Sequence, residues 1–234
     1  MSKPIYRRGF VKQGMALGGT LFLRPGGPAS AEAASASEAD NETLATIHAL
    51  HTTHGNFNEK EVPDEDLERI LGASVRAANS SNMQTYSIMV VKDRARQKEV
   101  CGYAGSRLLV YCVDYNRLLA SAATLGHSYF ADNMTAFVTG SINTAIAAQT
   151  AVIAARSLGI DSLLTNGIHR GDMARLWKLL DLPEKHCFPL IALVLGYATE
   201  QPEAKKGRLT GVGVFHEASY HRPDTAELAQ ITAQ

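Results

Sequence analysis

The thirty residues from Val138 to Gly167, VTGSINTAIAAQTAVIAARSLGIDSLLTNG, decide how the rest of the chain is interpreted. Apolar side chains recur at helical spacing between Ile142 and Ile153, and alanine fills most of the other positions. A helix that is apolar all round is expected inside a core. Gly159 suits the left-handed conformation that ends many helices. The residues that follow, 160–167, predict a short strand and a glycine turn whose backbone N–H groups are exposed to a flat ligand.

The flanking segments mix helices and strands without regular βαβ spacing. Residues 107–114 are almost continuously apolar, which is typical of a central strand. The pattern predicts an α+β fold with a sheet covered by helices, and not a doubly wound nucleotide-binding fold. Helices are predicted over 43–54, 64–78, 94–102, from 114 onward, and 172–180, and the further strands over 86–91 and 188–197.

Composition excludes several classes of function. The 234 residues carry 23 basic and 23 acidic side chains, so nothing indicates nucleic-acid binding. Three cysteines have no metal-ligand spacing, and the eight histidines show no cluster with cysteine or acidic residues, so no metal site is predicted. Cys112 lies in an apolar run and is interpreted as a small buried hydrophobe.

The amino-terminal segment is interpreted as an export signal. Tyr6-Arg-Arg-Gly-Phe-Val-Lys12 has the twin-arginine pattern, a short apolar run covers 13–23, and an Ala/Ser-rich tract with cleavage options covers 29–39. We therefore expect a twin-arginine (Tat) signal peptide and linker over 1–40, a folded domain over 41–234, and a periplasmic or extracytoplasmic location. Because this route exports folded proteins, a cofactor inserted before export is a reason to use it.

Five motifs follow one another along the chain: residues 77–84, 110–117, the central helix with 157–159 and 165–167, 194–197, and 205–209 followed by 216–220. Taken in this order, they resemble the nitroreductase-like FMN oxidoreductases, in the branch of oxygen-insensitive NADPH nitroreductases and flavin reductases. The resemblance covers about residues 44–230. It implies a nitroreductase-like fold with a central, mainly antiparallel sheet, and a homodimer with one FMN at each subunit interface.

The resemblance places the flavin phosphate near residues 51–55. The family motif, a His or Arg followed by Arg-Ser-x-Arg, keeps its first position in His51, and the hydroxyl of Thr53 replaces the serine. Both arginines are absent, since Thr52 and Gly55 stand in their places. An exposed polar helix end is the alternative interpretation of this segment.

A second part of the implied phosphate site lies near the carboxyl end. The family's Lys-x-Arg matches Lys206 and Arg208. Two cations offset a phosphate of nearly two negative charges. Each missing arginine removes an interaction of about 1.5–3 kcal/mol per charged hydrogen bond, so a weaker FMN affinity is expected.

The ring and ribityl chain are implied to contact two further segments. A plain polar turn is the alternative for the first of them. The second is a loop in which the backbone N–H of Asn166 faces flavin N5 and Leu164 lies against the ring. The first segment contributes Asn79, Ser80, Ser81, Asn82 and Gln84, and the second Leu164, Thr165, Asn166 and Gly167.

The implied chemistry is transfer of two electrons, as a hydride at flavin N5, to a planar acceptor such as a nitroaromatic, a quinone or a flavin. Positioning and electrostatics suffice for this, and no side-chain nucleophile is required. Export, and a chain that ends before the family's carboxyl-terminal NADPH-binding segment, favour a donor other than NADPH, such as a redox partner. A degenerate ligand-binding dimer without catalysis is the alternative, motivated by the missing arginines.

Overall fold

A computed structural model describes residues 41–204 and 206–233. The twin-arginine segment and Lys205 lie outside the described residues, and the division of the chain at residue 40 stays a prediction. The description below concerns the compact unit that begins at Glu42.

A four-stranded antiparallel sheet forms the centre of the domain. Its strands are β1 (Tyr86–Val91), β2 (Arg107–Asp114), β3 (Asp161–Thr165) and β4 (Cys187–Gly196), in the spatial order β1-β2-β4-β3. Tyr86 pairs with Val113 on β2, and a bulge between Tyr111 and Cys112 shifts the β2–β4 register by one residue. The predicted strands and the α+β class are confirmed.

Seven α-helices lie in the described residues, together with two short 3₁₀ turns at Ser80–Asn82 and Gly167–His169. Because side chains alternate along a strand, β2 supplies both faces of the sheet. Leu109 and Tyr111 point to the layer of α2 (Asp64–Ser74) and α5 (Met134–Ser157), whereas Leu108 and Val110 point to the layer of α3 (Arg94–Cys101) and α6 (Met173–Leu180). The helices are α1 (Glu42–His48), α2 (Asp64–Ser74), α3 (Arg94–Cys101), α4 (Asn116–Thr124), α5 (Met134–Ser157), α6 (Met173–Leu180) and α7 (Thr225–Thr232).

Helix α5 packs on the sheet through its small residues and not through its isoleucines, which corrects the sequence expectation. Ala147, Ala148 and Ala151 are fully buried, whereas Ile142 is 53% exposed. Small side chains let the helix axis approach the sheet, and the large apolar side chains are left on the outer face. By length and composition α5 would also suffice to cross a membrane, a test that core helices pass as well.

Three other helices differ from the sequence prediction. Helix α2 ends at Ser74, not near residue 78. Helix α1 ends at His48, not at residue 54, so residues 49–55 form an irregular segment, called here the entry segment. Helix α7 was not predicted, although Asp224 and Glu227 form a capping box at its start. Gly159 has φ +70° after α5, as the sequence indicated.

Buried polar groups tie these layers together. The Ser74 hydroxyl donates to the Ala147 carbonyl at 2.9 Å and lies 3.0 Å from the Tyr111 hydroxyl. Burial raises the pKa of Tyr111 to about 12, so the phenol stays neutral at physiological pH. The pair joins α2, β2 and α5.

Gly140 has no side chain and thereby lets α5 lie close to β2. A Cβ atom here would lie 2.6 Å from Val113 Cγ1 and 3.0 Å from a ring carbon of Tyr115. We expect Gly140→Ala to lower the free energy of unfolding by about 1–3 kcal/mol because of this overpacking. Gly72→Ala is the matched control, since a Cβ there meets nothing within 4 Å, and it should stabilise α2 by about 0.5–1 kcal/mol. Urea denaturation checks both values; equal effects would contradict the packing described.

Candidate active site

The two halves of the implied phosphate site, about 150 positions apart in sequence, line one cleft of about 220 Å³. One wall is the entry segment, and the other is the segment that follows β4. The Thr53 N–H donates to the Ser162 carbonyl at 3.0 Å and thereby fixes the entry segment beside β3. The cleft is lined by Leu50, His51, Thr52, His54, Pro202, Ala204, Lys206 and Arg208.

The phosphate-end cleft, as this space is called below, presents unpaired donors. Lys206 and Arg208 form no salt bridge within the described residues, and Arg208 donates only to the carbonyls of Lys206 and Gly207. The backbone N–H groups of Thr52 and His54 have no partner in the part of the chain that the structure describes. Two cations beside two free amides are the donor set that a phosphate group requires.

Two buried polar atoms beside the cleft also lack hydrogen-bond partners. One is the Thr53 hydroxyl, in a side chain that is almost fully buried, and the other is His51 Nε2. The His51 Nδ1 atom lies 3.3 Å from the Ala49 carbonyl, and Nε2 lies 3.4 Å from Asp161 Oδ1. An unpaired buried hydroxyl next to free amides and cations fits the phosphate end of FMN.

The turn before β1 is strained. Ser81, Asn82 and Gln84 have φ values of +51°, +54° and +48°, a left-handed region that residues with a Cβ rarely occupy. Internal hydrogen bonds hold this shape, since the Gln84 N–H donates to Asn79 Oδ1 and the Met83 N–H to the Ser80 carbonyl. Strain of this kind clusters at ligand sites, which favours a binding role over a plain polar turn.

Asn143 of α5 anchors this turn and is a site residue that the sequence interpretation missed. Its Oδ1 accepts the Ser80 N–H at 2.9 Å, and its Nδ2 donates to the Thr85 hydroxyl at 3.0 Å. In the sequence, Asn143 is an amide side chain among alanines in an otherwise apolar helix, and this feature could have indicated a site residue. A shallow cavity of about 270 Å³ lies beside it, lined by Ala78, Asn79, Ser80, Thr139, Ile142, Asn143 and Ile146.

The loop after β3 contains one unpaired and one paired backbone amide. The Asn166 N–H has no partner within the described residues, whereas the Gly167 N–H donates to the Thr165 hydroxyl at 3.0 Å. Gly167 fits because a Cβ there would lie 2.7 Å from the Cys101 carbonyl oxygen. Leu164 is partly buried beside the core.

The structure therefore brings the phosphate-end residues together and leaves the two ring segments in separate cavities. Strand β3 connects them, since its first residue adjoins the phosphate-end cleft and its last precedes Asn166. Residues Asn79 and Ser80 line the cavity on α5, and Gly167 lines another cleft between α3 and α6.

Comparison with known proteins assigns this chain to one family. The model of the nitroreductase family matches residues 51–123, a range that starts at the phosphate-end cleft. The NADPH-flavin oxidoreductase of Vibrio harveyi is 32% identical over 188 residues, which cover 77% of this chain and 75% of that protein. The oxygen-insensitive NADPH nitroreductase of Salmonella typhimurium is 32% identical over 201 residues, covering 81% and 80%. The structure of NfrA2 from B. megaterium superimposes with a TM-score of 0.76 at 29% identity, covering 82% and 80%.

The chain belongs to the nitroreductase family. Its fold is the nitroreductase-like fold, and it is an FMN-dependent oxidoreductase.

Asn143 forms hydrogen bonds with both the turn before β1 and Thr85, so its replacement should lower flavin affinity and the free energy of unfolding together. We expect Asn143→Ala to lower the free energy of unfolding by about 1–3 kcal/mol, since the Ser80 N–H and the Thr85 hydroxyl lose their partner. FMN and riboflavin should both bind more weakly, because the turn is implied to contact the ring that they share. Fluorescence titration with each flavin measures the effect; unchanged affinity for both would show that the turn does not contact the ring.

Proposed function

We propose that the protein transfers two electrons through bound FMN to a planar acceptor such as a nitroaromatic, a quinone or a free flavin. The observation that carries the proposal is the phosphate-end cleft, where Lys206 and Arg208 face unpaired amides of the entry segment. FMN, when bound, supplies the two-electron chemistry. The chain supplies binding, orientation and donors to the ring.

At the phosphate end, Lys206, Arg208 and the free N–H groups of Thr52 and His54 hold the phosphate. The Thr53 hydroxyl is the remaining buried donor there. These groups fix one end of an extended ligand and thereby orient its ring.

At the ring end, the Asn166 N–H donates toward N5, and the strained turn at residues 79–84 supplies donors to the pyrimidine edge. Donors placed where electron density increases on reduction stabilise the reduced form. Leu164 contributes an apolar wall. None of these residues acts as a nucleophile or exchanges a proton in this proposal.

We propose that the active unit is a homodimer. Large apolar side chains stay exposed along one continuous stretch of helix α5 and the connection before it, and an area of this kind marks an interface. A second subunit placed on α5 would cover the shallow cavity beside Asn79 and Ser80 and complete the ring site. The exposed side chains are Phe130, Met134, Phe137, Val138, Ile142 and Ile146.

Anaerobic reduction of the purified full-length protein tests the electron path. We expect dithionite to bleach the flavin absorbance and an added quinone or nitroaromatic to restore it without oxygen. Restoration only after oxygen is admitted would contradict a planar acceptor. The electron donor is tested in the same experiment. If NADPH bleaches the flavin absorbance, the result supports a reduced nicotinamide as the donor. If the flavin absorbance persists after NADPH is added, the result supports a separate redox partner.

We further propose export by the twin-arginine route into the periplasm or another extracytoplasmic space. The support is the pattern Tyr6-Arg-Arg-Gly-Phe-Val-Lys12 and the Ala/Ser-rich tract after it. Fractionation of cells that express the chain should place it outside the cytoplasm, and the pair Arg7→Lys and Arg8→Lys should retain it inside. If the wild-type protein and the double variant are found in the same compartment, the proposal is contradicted.

A further inference from the structure

We propose that Asp161 is a positioning residue for the FMN phosphate and that it acts through His51. The inference rests on the proposed phosphate site, because it concerns how the chain holds that site in shape. Asp161 is the first residue of β3, and its side chain is 4% exposed. It does not line the phosphate-end cleft itself.

The Asp161 carboxylate joins both walls of the cleft. Its Oδ2 accepts the Ala198 N–H and Gln201 Nε2, each at 2.9 Å, and these residues belong to the segment that leads to Lys206. Its Oδ1 faces His51 Nε2 and Arg156 Nη1, each at 3.4 Å. One buried carboxylate therefore contacts the entry segment, α5 and the segment after β4.

His51 lines the cleft, but both of its ring nitrogens face oxygen atoms of the protein. Its Nδ1 faces the Ala49 carbonyl, and its Nε2 faces the Asp161 carboxylate. With both ring nitrogens directed at protein oxygens, the imidazole serves to anchor the entry segment. The groups left free to meet the phosphate are the neighbouring N–H groups of Thr52 and His54. Asp161 thus holds these amides in place by holding His51.

The charge on Asp161 is balanced locally. Arg156 faces the same Oδ1 atom, so the carboxylate adds little net negative potential to a site for a phosphate. Preorganised amides bind more tightly than mobile ones because less conformational freedom is lost on binding. The carboxylate therefore favours FMN through geometry.

The variant Asp161→Asn keeps the hydrogen bonds to the segment after β4 and removes the charged contact with His51. The amide oxygen can still accept from Ala198 and Gln201, whereas the uncharged amide nitrogen would replace the charged oxygen that faces Arg156 and His51. We expect the Kd for FMN to rise about tenfold in the apoprotein, and the Kd for riboflavin, which lacks the phosphate, to change less than twofold. The ¹H–¹⁵N signals of Thr52 and His54 should shift in the apoprotein as well.

His51→Gln should reduce the preference for FMN to the same extent, and the double variant should be no weaker than His51→Gln alone. Arg156→Lys is the matched control, since it keeps the positive charge that balances Asp161 and Arg156 does not line the cleft, and it should retain the preference within twofold. If Asp161→Asn does not fold, His51→Gln alone decides: unchanged preference for FMN overturns the inference.

Equal weakening of FMN and riboflavin by Asp161→Asn would mean that the residue only stabilises the fold, and unchanged binding would mean that it positions nothing; either result overturns the role of Asp161. Failure of the proposed site has a different signature: wild-type protein would bind riboflavin as tightly as FMN.

Discussion

Replacing Lys206 and Arg208 together by alanine is expected to weaken FMN binding by roughly 10²- to 10⁴-fold, because each charged hydrogen bond contributes about 1.5–3 kcal/mol. Both side chains line the phosphate-end cleft, and neither has a competing carboxylate in the described part of the chain. Riboflavin affinity should stay within about twofold, since riboflavin offers no phosphate. Fluorescence titration of the apoprotein with both flavins measures the two constants.

The matched control for this pair removes two cations elsewhere. Lys98 and Lys178 are exposed on α3 and α6 and do not line the cleft, so their double replacement by alanine should leave FMN affinity within about twofold. A loss of affinity as large as that of Lys206 and Arg208 would show that net charge, and not the cleft, attracts FMN.

Restoring a family arginine should act in the opposite direction. Thr52 is exposed and lines the cleft, so Thr52→Arg is expected to tighten FMN binding by about tenfold, the lower end of one charged hydrogen bond. Gly55 cannot take the second arginine without strain. Its φ is +80°, and a Cβ there would lie 3.0 Å from a ring carbon of Tyr103. The backbone at this position therefore has a conformation that does not suit the arginine of the family motif.

Placing a charge on the outer face of α5 is the second change with a large expected effect. Ile142 is 53% exposed and lines the shallow cavity beside Asn79 and Ser80. If a second subunit covers this face, Ile142→Glu buries an unpaired carboxylate at a cost of several kcal/mol. We expect a monomer in sedimentation or light-scattering measurements, and at least a tenfold loss of FMN affinity because the ring site is left incomplete.

Val90→Glu is the control for this experiment. Val90 is 38% exposed and lies on the edge strand β1, outside the exposed apolar stretch of α5 and the connection before it. It should leave both the mass in solution and FMN binding unchanged. A wild-type protein that sediments as a monomer and binds FMN would contradict the dimer. An Ile142→Glu dimer with normal FMN binding would place the interface on another surface.

Strands β1, β2 and β4 could be predicted from the sequence because each is largely apolar between polar turns, whereas β3 was predicted from its place between Gly159 and Gly167. The face on which α5 packs could not, because apolar character is the same for a core and for a subunit interface. Ile142 and Ile146 looked like core residues, but Ala147 and Ala151 fill that role. Which face of α5 packs on the sheet depends on how close the helix lies to β2. Gly140 permits that close approach, and the periodicity of apolar residues does not show it.

The site was predictable in part. The segments of the phosphate-end cleft came from their resemblance to a family motif, since nothing in the spacing of residues 51–55 and 206–208 indicates that they meet. Asp161 and Asn143 were missed because each is a single polar residue beside apolar neighbours, and only the fold shows what it contacts. The capping box of Asp224 and Glu227 is a sequence signal for the start of helix α7.

The visible absorption spectrum of the purified full-length protein, with the flavin then released by acid and identified by chromatography, tests most directly that this chain is an FMN-dependent oxidoreductase. We expect a flavin band, either as purified or after FMN is added, and FMN as the flavin released. A colourless protein that takes up no FMN would contradict the assignment of the phosphate-end cleft and the function built on it.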